Sequence, residues 1–329
     1  MDSIKISFLL LIMTCLLAGC QSDDAELSNP ARDLFEQQQL TIEQYLTENN
    51  IITQQNEAGI HYQILTENAA GVAPQPGQVA RIFYRIEQLE GGVIDVREAS
   101  SGKDPFAYTF RASDLNPNVS HLLVPAGLDV MVGTMRQGEE YEFYLPSAYA
   151  YFNYSLEDVF PANALVRAKI RLENVFTAAE QRLAEDAEIK DYLLDQHLEE
   201  ADSLNSGVYY LRTKTGDGQE VSSGSTVQVR YTGSLLDGTV FDTNVGNDRP
   251  LLEFTVAPNQ VIEGFLLAVQ QMQVGEKGTV VIPSHAAYGQ GLVAIPYSTI
   301  NDFTVENATA RKIPPYAQLR FDIEVVDVN

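Results

Sequence analysis

The sequence predicts an α+β protein in which one helix-then-sheet unit occurs twice. Three observations predict it: an internal repeat, a helical stretch that opens each copy, and a series of short alternating stretches after each helix. The segment IFYRIEQLEGGVID at 82–95 returns as VRYTGSLLDGTVFD at 229–242, so Tyr84 matches Tyr231 and Asp95 matches Asp242 at an offset of 147. Ile42, Tyr45 and Leu46 return as Ile189, Tyr192 and Leu193 at the same offset. Further on, Gly127, Met135, Gly138, Pro146 and Tyr151 match Gly264, Met272, Gly275, Pro283 and Tyr288 at an offset of 137, so the first copy carries ten extra residues between the blocks.

In 30–52, Leu34, Ile42, Tyr45, Leu46 and Asn49 fall at helical spacings, as do Ile189, Tyr192 and Leu193 in 178–204. The second helix carries Glu185, Asp186, Glu188, Glu199 and Glu200, which reads as a solvated face. Next come VQVRYTGSL, TVFD, GTVVIP and LRFDIEVVDV, which alternate apolar with polar as a half-buried antiparallel sheet requires. A short helix is expected at 264–271, where Phe265, Val269 and Met272 share a face. Each copy therefore reads as a curved antiparallel β-sheet wrapped around a short helix, with a helical segment before it.

The 329 residues suffice for two separate cores. A net charge of −24 argues against a nucleic-acid partner, which needs clustered Lys and Arg, and against electrostatic attachment to anionic lipid. Lys5 precedes the apolar stretch ISFLLLIMTCLL, too short for a membrane span, which leads into Leu17-Ala18-Gly19-Cys20. That pattern resembles a bacterial lipobox, with Cys20 acylated as the new N-terminus and Cys15 removed. A lipid anchor then holds the protein to a membrane of the cell envelope, the outer membrane by expectation, on its periplasmic face or the cell surface. The run Ser22-Asp23-Asp24 resembles an acidic surface-export signal and equally reads as a solvated tether.

The C-terminal copy carries seven blocks in order: Val229-Arg230-Tyr231-Thr232-Gly233; Asp237-Gly238-Thr239-Val240-Phe241-Asp242; Val261-Ile262-Glu263-Gly264-Phe265; Met272 with Val274-Gly275-Glu276; Ile282-Pro283 with Tyr288-Gly289; Ile313-Pro314-Pro315; and Leu319-Arg320-Phe321-Asp322. Together they resemble FKBP-type peptidyl-prolyl cis/trans isomerases, in tandem FKBP-like domains of a bacterial lipoprotein. The resemblance implies that Tyr231, Phe241, Val261, Ile262, Phe265, Tyr288, Ile313 and Phe321 line a proline pocket, with Phe265 as its floor where the family commonly has Trp. It implies that Asp242, Tyr288 and Phe241 carry catalysis, with the Tyr288 hydroxyl and the Ile262 N–H bonding peptide carbonyls. It implies proline-containing polypeptide clients and neither cofactor nor metal. Tyr288 and Ile313 lie 25 residues apart, a longer loop than compact members have, and its residues 297–303 are expected to overhang the pocket and bear on substrate range and macrolide binding.

In the first copy, Ile94 stands for Phe241, Pro125 for Ile262, Leu128 for Phe265 and, in this alignment, Arg167 for Phe321. Proline has no N–H, so the backbone donor is lost. The expectation is the same fold with little or no isomerase activity and a role in spacing, dimerisation or binding of envelope partners. The organisation reads as a signal peptide (1–19), a tether (20–29), a helical segment (30–58), a degenerate FKBP-like domain (59–176), a helical linker (177–204) and an isomerase domain (205–329). His61, His121, His197 and His285 are too scattered for metal ligation, although His285 lies near Tyr288. No phosphate loop, dinucleotide fingerprint or nucleophile elbow occurs. Two functions fit: an isomerase that assists folding of exported or surface proteins, and a non-catalytic chaperone or subunit of an envelope complex.

Overall fold

A computed structural model describes residues 29–102, 104–113, 124–156, 158–246, 249–291, 293–294 and 312–329. Cys20 with the segment around it, and loop residues 297–303, lie outside the described residues.

Helix α1 (Pro30–Glu48) opens at Asn29, whose side chain accepts the Ala31 N–H at 3.2 Å, with Pro30 in the first turn where its missing N–H costs nothing. It ends earlier than the apolar spacing suggested. Asn50 turns left-handed (φ 55°), and the Asn50 and Ile51 N–H groups close onto Thr47 and Leu46 carbonyls at 3.2 and 2.9 Å. The second copy repeats this stop at His197 (φ 57°), with Leu198 N–H on the Leu193 carbonyl at 2.7 Å.

The first sheet contains β1 (Gln54–Gln55), β2 (His61–Thr66), β3 (Val79–Gln88), β4 (Val93–Arg97), β5 (Phe106–Thr109), β6 (Glu140–Leu145) and β7 (Val166–Phe176), in the order β1-β2-β6-β7-β3-β4 with β5 also on β3. Helix α2 (Leu128–Gly133) lies on its inner face. Helix α3 (Ala178–Asp195) follows, opened by a capping box between Thr177 and Glu180.

The second sheet contains β8 (Asp202–Ser203), β9 (Tyr209–Lys214), β10 (Thr226–Leu235), β11 (Val240–Thr243), β12 (Leu252–Thr255), β13 (Lys277–Ile282) and β16 (Leu319–Val328), in the equivalent order β11-β10-β16-β13-β9-β8 with β12 on β10. Helix α4 (Glu263–Val269) packs inside it, and β14 (Val293–Ala294) pairs β15 (Lys312–Ile313) beside it. All strand pairs are antiparallel, and even the bulge recurs, at Ile86/Glu87 and at Gly233/Ser234. Two separate apolar cores result.

Each long helix packs on the outer face of the sheet that follows it. Ile42 and Leu46 meet Tyr144 of β6, and Ile189 and Leu193 meet Val281 of β13. A buried polar contact fixes each joint. Gln38 Oε1 accepts the N–H and Oγ–H of Ser147, both at 3.0 Å, and Glu185 accepts those of Ser284 at 3.0 and 2.7 Å.

This corrects the solvated-face reading for two of the five acids; Glu199 and Glu200 are exposed, beyond the end of α3, and Asp186 is half-buried. Glu185 is 1% exposed, and Glu188 pairs with Arg81 of the first sheet at 2.5 Å. Spacing marks both acids as polar, but only the opposing Ser284 and Arg81 draw them inward. Replacing Glu185 by Ala is expected to cost about 1–3 kcal/mol, because both Ser284 donors lose their acceptor away from water. Urea unfolding of the full chain reads this; an unchanged midpoint and slope would refute the pin.

Candidate functional site

The site in the second copy begins with two adjacent strands. Tyr231 on β10 donates its hydroxyl to Asp242 on β11, and Asp242 lies directly across from Gly233. Asn244, buried, holds the turn after β11: its Oδ1 accepts the Tyr231 N–H at 2.7 Å, and its Nδ2 donates to the Val229 carbonyl at 3.0 Å. Alternation along β16 points Phe321 inward. Phe321 meets Phe241 at 5.6 Å and Phe265 at 5.2 Å, each ring nearly perpendicular to it, and Tyr231 meets Phe265 at 5.9 Å. Edge-to-face contacts of this kind place the positive rim of one ring on the negative face of the next.

Two glycines make the cluster possible. A Cβ on Gly264 would lie 2.3 Å from the Ile282 side chain, so only glycine lets α4 start against β13 and lay Phe265 beneath Tyr231. A Cβ on Gly233 would lie 2.7 Å from both Phe241 and Phe321. Gly233 belongs to the first of the seven blocks with no role apparent from the chain alone, and Asn244 and Phe254, whose ring packs on Phe265 at 6.1 Å, lie outside all seven. A glycine inside an otherwise regular strand is a recognisable sign of close approach.

The structure brings every predicted C-terminal site residue to one place. Phe241, Phe265, Phe321 and Ile313 are buried, while Tyr231, Val261 and Ile262 are half-buried against them. Tyr288 is 39% exposed at the rim, close enough to Asp242 for the carboxylate to act on it. Burial and then the Asp242 charge raise the Tyr288 phenol; burial and then the hydrogen bond to Asp242 raise that of Tyr231. Both stay protonated, as donors, at neutral pH. Ile262 caps α4 in extended conformation (φ −61°, ψ 147°), and its N–H has no hydrogen-bond partner among the described residues. The arrangement is an apolar basin with donors on its rim. His285 is exposed in the turn before Tyr288. Among the described residues no group of three or more His, Cys, Asp or Glu side chains is set to hold a metal.

The first copy keeps the framework and fills the basin. Tyr84 still donates to Asp95, at 2.7 Å. Ile86 occupies the place of Gly233, Ile94 that of Phe241 and Leu128 that of Phe265, all buried. Strand register corrects the fourth match. Tyr84 faces Ile170 as Tyr231 faces Ile323, and Phe143 faces Ala168 as Val280 faces Phe321. Ala168, not Arg167, therefore stands for Phe321. A one-residue slip exchanges the faces of a strand, and Arg167 lies on the outer face, paired with Glu87 and Glu142. Phe160 stacks on Tyr151 at 4.4 Å, and Tyr151 is 2% exposed where Tyr288 is 39%. Pro125, in the place of Ile262, is buried.

The two copies thus exchange volume: glycine with two phenylalanines in one, isoleucine with isoleucine and alanine in the other. Adding a methyl at Gly233 is expected to displace both rings and to lower stability by about 1–3 kcal/mol. Thermal unfolding of Gly233→Ala measures this, and a wild-type midpoint would contradict the close contact.

Comparison with known proteins adds to this geometry. The profile of the FKBP-type peptidyl-prolyl cis-trans isomerases matches residues 218–326. The chain is 34% identical over 130 residues to the FKBP-type 22 kDa peptidyl-prolyl cis-trans isomerase of Escherichia coli, covering 40% of this chain and 54% of that protein. It is 29% identical over 188 residues to a probable FKBP-type peptidyl-prolyl cis-trans isomerase of Haemophilus influenzae, covering 53% of this chain and 70% of the relative. It is 33% identical over 135 residues to FK506-binding protein 2 of Dictyostelium discoideum, covering 39% of this chain and 83% of the relative. The chain spans only 54% and 38% of the lengths of the E. coli protein and of FkpA from Aeromonas hydrophila. With the aromatic basin, its tyrosine–aspartate pair and these matches together, the chain belongs to the FKBP-type peptidyl-prolyl cis-trans isomerase family.

Proposed function

We propose that the C-terminal copy is a peptidyl-prolyl cis/trans isomerase acting on exported or surface polypeptides. The observation that carries this reading is the apolar basin of Tyr231, Phe241, Phe265 and Phe321, with Tyr288 and the Ile262 N–H, which has no partner among the described residues, at its rim. Resonance holds a peptide bond planar behind a barrier of roughly 18–20 kcal/mol. Twisting it decouples the carbonyl from nitrogen and reduces the charge separation that water stabilises. A proline ring seated on Phe265 leaves that water behind, so the planar ground state loses solvation that the twisted state needs less. The Tyr288 hydroxyl and the Ile262 N–H then hold carbonyls of the substrate in the twisted geometry, which stabilises the transition state selectively. Asp242, as acceptor for Tyr231, keeps the wall of the basin in place.

The filled basin supports a non-catalytic role for the N-terminal copy. On Leu-Pro and Phe-Pro tetrapeptides in a protease-coupled assay, Phe241→Ala and Asp242→Ala are each expected to lower kcat/KM about tenfold or more, while Asp95→Ala stays within about twofold. A folded wild-type protein with no rate above background would leave the chaperone or complex-subunit reading in its place. Equal losses from Asp95→Ala and Asp242→Ala would overturn the division of labour between copies.

The lipobox-like Leu17-Ala18-Gly19-Cys20 supports acylation of Cys20 and attachment to the cell envelope. Cells fed an alkyne-bearing fatty acid are expected to label the wild type and not Cys20→Ser, which moves to the soluble fraction. Label retained on Cys20→Ser would refute the anchor.

A further inference from the structure

We propose that the N-terminal copy positions the walls of the proline pocket in the C-terminal copy, through Thr109 as a positioning residue. The inference rests on the isomerase reading of that pocket and assigns the filled copy a part in it.

Thr109 ends β5 of the first sheet. Its Oγ1 donates to Gln290 Oε1 at 2.9 Å and lies 2.8 Å from the Tyr316 hydroxyl, which must donate because the one threonine proton is already committed. Tyr316 N–H in turn donates to the Gly289 carbonyl at 2.7 Å. Gly289 and Gln290 directly follow Tyr288, and Tyr316 is three residues after Ile313. One hydroxyl of the first copy therefore ties together the two chain segments that leave Tyr288 and Ile313. Tyr316 holds left-handed backbone (φ 60°), a conformation that a bulky residue keeps only where its surroundings impose it.

A second contact holds the same segment two residues on. Arg81, 5% exposed in β3, pairs with Glu188 of α3, and the other Glu188 oxygen accepts Gln318 Nε2 at 2.6 Å. The Arg81 guanidinium also lies over the Phe176 ring at 5.9 Å. Helix α3 is already fixed to the second sheet by Glu185, so this joint cannot slide independently of the pocket. Gln318 immediately precedes β16, the strand that carries Phe321. Tyr288 and Ile313 are thus anchored within three residues of contacts made by the first copy, and Phe321 within three residues of a contact relayed from Arg81 of the first copy through Glu188 of α3. Placement errors of about an ångström are enough to cost a catalyst much of its rate.

Thr109→Val keeps the side-chain shape and removes both hydrogen bonds. In the full-length chain it is expected to lower kcat/KM about three- to tenfold, unequally across tetrapeptides that differ before proline, and to move the Ile313 amide resonance. Thr109→Ser, which keeps the hydroxyl, should stay within about twofold of wild type on the same series. Gln290→Leu, at an exposed position, is expected to act in the direction of Thr109→Val and serves if the latter fails to fold. An active wild type with unchanged kcat/KM and an unmoved Ile313 resonance in Thr109→Val or Gln290→Leu would overturn the positioning role. An inactive wild type would instead defeat the isomerase reading, and the Ile313 resonance would still decide whether Thr109 acts on the pocket.

Discussion

At Gly233 a side chain is missing where Phe241 and Phe321 meet, and a Cβ there would lie 2.7 Å from each ring. The rest of the C-terminal site depends on that gap. Phe321 fills it from β16 and Phe241 from β11, and Phe265 closes the base from α4. The same bulge, at the same place in the same ladder, carries Ile86 in the other copy. There the core closes over with Ile94, Leu128 and Ala168, and Phe160 covers Tyr151. Interiors pack at nearly constant density, so a change at one position has to be matched at its neighbours. One fold can thus carry an aromatic basin or an ordinary core without altering a strand pairing within the seven-stranded sheet.

Polar groups do a second kind of work in this acidic protein. Although the net charge is −24, several acids are internal fasteners and not surface charge. Glu185 holds α3 on Ser284, Glu276 accepts the Tyr210 hydroxyl at 2.6 Å and the Arg212 guanidinium at 2.7 Å, and Glu188 joins the two copies through Arg81. Gln38 does in the first copy what Glu185 does in the second, which shows that a shared acceptor and not a charge is the requirement. These contacts give direction to an otherwise non-directional core, and they set each long helix in one orientation on its sheet.

The chemistry proposed for the basin needs no group that ionises during turnover. The phenols of Tyr231 and Tyr288 are raised above their usual range by burial and by Asp242, which keeps them as donors. The carboxylate serves as an acceptor that orients a wall. Such a site depends on placement more than on reactivity, which is why contacts at its edges, far from any substrate, bear on it.

Much of this was legible in the chain. The repeat and the strand alternation require only nearest-neighbour periodicity, and they led to the two sheets and the short inner helices, while the nine clustered residues of the C-terminal site followed from the resemblance carried by the seven blocks. What escaped were features set by who faces whom. Arg167 and Ala168 are adjacent in sequence, and only the ladder decides that Ala168 points inward. Glu185 and Glu188 look like solvent-facing acids until Ser284 and Arg81, distant along the chain, are placed against them. Gly233 is one glycine among 22 until two rings converge on it. The sequence by itself determined the unit and its duplication, because periodicity is local. How the facing side chains fill each core, and how one copy is fastened to the other, was decided by tertiary structure, because volume and register are properties of facing strands.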